Sequence, residues 1–337
     1  MKRLLITLLL VSHSLSASVL SDLAAGLAPG EWVAMPSSSS LNSLPVGPLM
    51  FFSGKASWDA ANQRVIWIAG PGSCCANPPT FQKTMYTAGS NTWSQSAAPF
   101  SGSGHAYDGN AFDSDKGIAY ISFSTTRDIR SWNGSSWGSL PNIPWSNGNI
   151  APANVYFPDW NGGAGGLVHV GGTGKHAVYS GGSWTSTRTP SGTKWGTYHN
   201  FANYNASSGK VWMGAGSGGT TINYIMAANG SLSQGKNAPF NLGPDNASIA
   251  SAPGTDQFII HASGSGFWTY DVSGNNFQQM SGEPSFANDM FMVTIEDHGV
   301  IMIFDKNKKV YLYRHAATAP PVVDTSPPAQ PTELTAD

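Results

Sequence analysis

Charge is scarce in this sequence. Only 11% of its 337 residues are Asp, Glu, Lys or Arg, against about 25% in an ordinary soluble domain, and the net charge is -2. After the first residues the lysines and arginines form no run, which excludes the electrostatic footprint of a nucleic-acid partner. Cysteine is nearly absent too: the two present, Cys74 and Cys75, are adjacent, so there is no disulfide framework, no spacing for a zinc site and no metal expected from motif. The one long apolar run, Leu4 to Val11, is too short to span a bilayer as a helix. A nucleophile elbow, a P-loop and a paired HExxH are all missing.

Glycine (39), tryptophan (12) and many Ser, Asn and Thr take the place of charge, a mixture suited to short strands and tight turns in an all-β extracellular protein. The N-terminus, MKRLLITLLLVSHSLSA, has Lys2 and Arg3 before the apolar run and small residues at Ser14, Ser16 and Ala17. This is the layout of a secretory signal peptide over residues 1–17 and implies a secreted or periplasmic protein. At the other end, residues 318–337 are rich in Pro and Thr without alternation and read as a linker. In an oxidising compartment two free thiols are not expected. With Cα atoms about 3.8 Å apart across a trans peptide, Cys74 and Cys75 are read as a strained vicinal disulfide.

Between these ends a pattern returns: an aromatic strand, a turn of Gly, Asn or Ser, and a second strand led by Trp. KTMYTAGSNTWSQ shows it first; Trp132 and Trp137, Tyr179 and Trp184, and Tyr270 and Phe277 repeat it, and Ile225 with Leu232 is a weaker copy. The anchors Trp93, Trp137, Trp184, Leu232 and Phe277 are spaced by 44, 47, 48 and 45 residues, the period of a four-stranded propeller blade. Six apolar inner strands, beginning with RVIWIAG and ending with HGVIMIFD, count six units. The last unit lacks a Trp-led fourth strand, and GEWVAMP, residues 30–36, offers Trp32 for that place. The expected fold is therefore all-β: a six-bladed β-propeller over residues 30–316, closed by the N-terminal strand as the outer strand of the last blade.

This repeat pattern resembles the kelch or galactose-oxidase type of propeller, with Gly171-Gly172 in the place of the family's glycine pair and Ala69-Gly70 and Ala215-Gly216 as partial versions. The copper-radical chemistry of galactose oxidase does not carry over, because its Tyr–Cys cross-link has no counterpart among two adjacent thiols. The final PPAQPTELTAD resembles the opening of a fibronectin type III domain, which implies a further C-terminal domain.

In an up-and-down blade, the loops joining second to third strands and the crossovers between blades emerge on one face. The long segments fall there, making it the candidate working face. At the start of each first strand a carboxylate or carboxamide recurs, Asp108, Asn154, Asn200, Asn246 and Asn288, spaced by 46, 46, 46 and 42 residues. These either bond to neighbouring backbone or ring the channel mouth and hold a polar ligand, a water chain or a structural cation. Beside two of them stand His105, Tyr107, Tyr198 and His199, candidates for acid–base work or for bonding sugar hydroxyls. His169 and His261 lie inside second strands and read as core. Trp145 and Trp195 fall in crossovers outside the repeat, where an exposed ring would stack on a sugar. Together these features favour an extracellular glycan as partner, with polysaccharide-lyase chemistry as the enzymatic form: His or Tyr takes the proton, and the ring amides, Arg127 or Arg130 neutralise the uronate. The alternative is a protein-interaction or adhesion module.

Overall fold

A computed structural model of the chain describes residues 18–316 apart from 52, 71–79, 102–105, 123–126, 146–150, 173, 193 and 217–219. The expected signal peptide, Cys74, Cys75, His105 and the C-terminal tail lie outside the described residues.

The strands make six antiparallel four-stranded sheets. Blade 1 runs through Ser57–Asp59, Arg64–Ala69, Thr80–Thr87 and Thr92–Ser101, and blade 2 through Asn110–Asp113, Ile118–Ser122, Ile129–Trp132 and Trp137–Ser139. Blade 3 comprises Ala153–Phe157, Gly166–Gly171, Lys175–Ser180 and Ser183–Trp184; blade 4 comprises Asn200–Asn205, Lys210–Ala215, Asn223–Met226 and Leu232–Gln234. Blade 5 is Ala247–Ser251, Gln257–Ala262, Gly266–Asp271 and Asn276–Gln279. Blade 6 takes Met290–Ile295, Val300–Asp305 and Val310–Tyr313 from one end of the chain and Trp32–Ala34 from the other.

Burial follows position in the blade. Every residue of Ala153–Phe157 and of Val300–Asp305 is buried, because the two inner strands carry neighbouring sheets on both faces. The outer strand Leu232–Gln234 is half-buried at its first residue and exposed at the next two. The repeat aromatics pair across the third and fourth strands, Tyr86 with Trp93, Trp132 with Trp137, Tyr179 with Trp184 and Tyr270 with Phe277. In the weak copy Leu232 pairs with Met226, not Ile225. The rings also join blades: Trp93 lies 4.9 Å from Phe304 of blade 6, and Trp212 of blade 4 lies 5.1 Å from Phe258 of blade 5.

Closure follows the same rule. Trp32, Val33 and Ala34 pair with Tyr313, Leu312 and Tyr311, and Trp32 stacks on Tyr313 at 4.2 Å. Before this strand the sequence reading missed a helix, α1 (Val19–Gly26), started by a capping box between Ser18 and Ser21. It packs on the turns at Ala88–Ser90 of blade 1 and Glu296–His298 of blade 6, burying Leu20 and Ala24. Arg314 ties it down by donating to the carbonyls of Ala24 and His298. Strand and helix thus straddle one seam.

Deleting residues 18–37 is expected to broaden the calorimetric transition and provoke aggregation, because the edge of blade 6 is exposed; an unchanged melting curve would contradict the closure. Leu20→Asp, which spares the strand, should still cost about 2 to 4 kcal/mol in denaturant titration. A second expectation concerns His169 and His176, both buried in blade 3. Burial pushes their imidazoles from the usual 6.5 down to about 3 and about 4, with Arg188 adding to the effect on His176. Below pH 6.5 the unfolded chain takes up protons that the folded chain refuses, so this stability is present above 6.5 and is lost as pH falls towards 4. Melting temperature should drop over that window, and His169→Gln should flatten the drop.

Candidate functional site

The six first strands converge on the axis, and the first unit supplies the residue that fills it. Lys55 stands two residues before its strand, as Asp108 does in blade 2. Its ammonium donates to Asp108 Oδ2 at 3.3 Å, to the Asn154 carbonyl at 2.7 Å and to the Ala202 carbonyl. Asp108 Oδ2 also accepts from the Ala202 N–H at 2.7 Å. Both side chains are buried, and the cluster joins blades 1 to 4. Burial pushes the Lys55 ammonium below its usual range, with Asp108 opposing the shift. It raises the Asp108 carboxyl to about 6 against the pull of Lys55 and the Ala202 N–H. Each charge is the other's counter-ion.

This pair divides the axis. Gly54 and Tyr107, one residue before Lys55 and Asp108, line a cavity of about 240 Å³ on the long-loop face. Trp58, Phe112 and Tyr204, further along their strands, line a second of about 280 Å³ on the short-turn face, with Lys55 at its end.

The long-loop mouth gathers groups from several blades. His199 Nδ1 and Asp245 Oδ2 lie at ion-pair distance, and the His199 ring meets Tyr107 edge-on at 4.7 Å and Tyr198 at 4.8 Å. Tyr107 and His199 each immediately precede an axial residue, and both have left-handed backbone, φ +26° and +60°. Non-glycine residues in that region carry strain that concentrates at functional sites. The loop bearing Asp245 lies against His199 because Gly243, at φ +106°, has no side chain: a Cβ there would sit 2.7 Å from the His199 carbonyl oxygen. Phe51, 52% exposed, forms part of the rim. Lys306 approaches the Phe51 ring at 5.3 Å and pairs with Asp289 at 2.6 Å. Asn246, Ser248, His261 and Asn288 complete the polar lining.

Of the candidates read from sequence, Tyr107, Asn246 and Asn288 line this cavity, His199 packs against Tyr107 behind the lining, and Tyr198 packs against His199. Asp108 forms the floor pair. Asn154 is wired into the blades, donating to the Gly109 carbonyl and Ser122 Oγ and meeting His169 Nδ1. Asn200 likewise donates to the carbonyls of Gly196 and Gly214. Four expectations are corrected. Trp145 and Trp195 are 6% and 0% exposed: their crossovers fold back between blades, packing the rings on His169 at 5.3 Å and Tyr224 at 5.5 Å, so neither offers a face to a sugar. Arg127 is spent on the Ile143 carbonyl and Arg130 on Asp128; neither lines the mouth. His261, read as core, is buried in its strand yet forms part of the cavity wall. Burial pushes its imidazole down to about 4, against the pull of Glu283, so it is neutral at physiological pH. Lys55, Phe51, Asp245 and Asp289 were missed.

No protein-family model and no curated protein matches the chain. Among solved structures it is similar to a protein of unknown function from Bacteroides thetaiotaomicron, at a TM-score of 0.53 and 11% identity over 85% of this chain and 72% of the other. It is also similar to YjhT, a kelch-repeat protein, at 0.51 and 12% over 77% and 93%. At such identities the likeness is one of fold.

Removing one member of the axial pair strands the other. Asp108→Asn and Lys55→Met are each expected to cost about 3 to 5 kcal/mol, and the double variant less than the sum of the two by denaturant titration. Strict additivity would show that the charges do not interact.

Proposed function

We propose that this chain is an exported carbohydrate-binding propeller that takes a neutral sugar unit in the axial mouth on its long-loop face. The observation that carries the reading is Phe51, the large hydrophobic side chain left exposed among the described residues, standing at the rim of a cavity that sets Tyr107, Met50 and Met290 beside amides, a hydroxyl, carboxylates and an imidazole. A sugar ring presents an apolar C–H face and a hydroxyl edge, and this pairing of an exposed aromatic with several polar groups answers both. At about 240 Å³ the mouth is smaller than a drug-sized pocket of roughly 300 to 1,000 Å³, which suits a terminal unit better than a chain laid across it. The signal-like N-terminus and the low charge support export.

Charge argues for a neutral ligand. Asp245 and Asp289 are the carboxylates of the mouth, Lys306 is paired with Asp289, and Lys55 is spent beneath the floor. A uronate would meet carboxylates where the lyase reaction needs a cation, so that chemistry has weak support. A second reading, in which the bound sugar also reacts, is favoured by the close approach of the Asp245 carboxylate to His199 Nδ1. A carboxylate beside one ring nitrogen orients the imidazole, and His199 with the neighbouring Tyr107 ring would supply the acid–base groups.

A glycan array followed by calorimetry tests the proposal. Neutral glycans should bind with sugar at the chain end, and Phe51→Ala should weaken them about tenfold with the fold intact, a loss of ~1.4 kcal/mol. Uronate polymers should neither bind nor yield an unsaturated product. Absence of any glycan ligand, or affinity indifferent to Phe51, would overturn the reading.

A further inference from the structure

We infer that the propeller axis is a monocation site, built from Asp108 Oδ2 and the carbonyl oxygens of Asn154 and Ala202, and that the chain fills it with its own tethered ammonium, Lys55. The inference is independent of which ligand the mouth takes.

Three oxygen acceptors from three different blades converge on one buried point. Two are backbone carbonyls, each with a second lone pair beyond ordinary sheet bonding, and the third belongs to a carboxylate held in place by the Ala202 N–H. Such a set, hard oxygens carrying one negative charge, is the chemistry that binds a single positive charge. Blade 1 has no carboxamide at the corresponding position; it has Lys55, whose four-carbon stem delivers the charge across the axis and whose three N–H groups match the three acceptors in number. No free ion has to be recruited, and the ordering cost falls on folding rather than on binding. The backbone of the mouth is tied to this cluster, since the Gly54 N–H donates to the Tyr107 carbonyl at 3.0 Å and these two residues directly precede Lys55 and Asp108. Lys55 lines the cavity on the short-turn face, and its neighbour Gly54 lines the mouth on the long-loop face.

Chemical rescue tests the site. Lys55→Ala removes the propylammonium part of the side chain and should lower the melting temperature by several degrees. Added n-propylammonium chloride should restore at least half of that loss, saturably. Tetramethylammonium chloride at equal ionic strength cannot donate hydrogen bonds, and n-propanol has no charge; neither should rescue. Wild type and Lys55→Ala/Asp108→Asn should not respond to n-propylammonium. An unchanged melting temperature in Lys55→Ala, equal rescue by tetramethylammonium or propanol, or undiminished rescue in the double variant would each overturn the inference. If Lys55→Ala accumulates only unfolded, refolding from urea in the two ammonium salts reads the same property: a higher yield in n-propylammonium supports the site, and equal yields reject it.

Discussion

Lys55 and Asp108 hold opposite charges on the axis, where the first strands of four blades converge, and the arrangement of the rest depends on that. A ring of six sheets leaves a hole at its centre, and the strand edges facing it carry polar backbone that must be satisfied. Here the ammonium accepts the task for two carbonyls and the carboxylate for one N–H. The cost of burying either charge alone would be several kcal/mol; together they fasten four blades at the axis.

The outer ring is held differently. Aromatic pairs across third and fourth strands interlock neighbouring blades by dispersion and burial, with tilted contacts near 5 Å such as Tyr86–Trp93 and Trp93–Phe304. That device was legible in the sequence, because blades 1, 2, 3 and 5 repeat it on the blade period. Trp32 was placed in the last blade for the same reason, and the Trp32–Tyr313 pairing bears this out. Helix α1 was not legible: it belongs to no repeat, and its short apolar face shows only against the two turns it covers.

The site was legible in part. The 46-residue rhythm located Asp108, Asn154 and Asn200 on the inner strands, and with them their neighbours Tyr107 and His199. It could not reveal Lys55, since the first unit breaks the carboxamide rule with a residue of opposite charge, and the reason is apparent only when the blades close. Trp145 and Trp195 were misread because position outside the repeat was taken for exposure; both crossovers turn inward and seal gaps between blades. Phe51 lies in a crossover without periodicity, so its place at the mouth is a product of closure alone, whereas Asp245 directly precedes Asn246 in the same rhythm and its approach to His199 shows only in the folded ring.

The account reduces to an axis bridged by Lys55 and Asp108 beneath a mouth with an exposed aromatic at its rim and polar groups in its lining. A crystal structure of the protein soaked with a mixture of neutral monosaccharides tests it most directly. The account predicts a sugar ring against Phe51 with hydroxyls at Asn246 or Asn288, above unbroken density linking Lys55 to Asp108. An axis open from face to face with Lys55 turned away, or a sugar seated only in the cavity beside Trp58 and Tyr204, would contradict it.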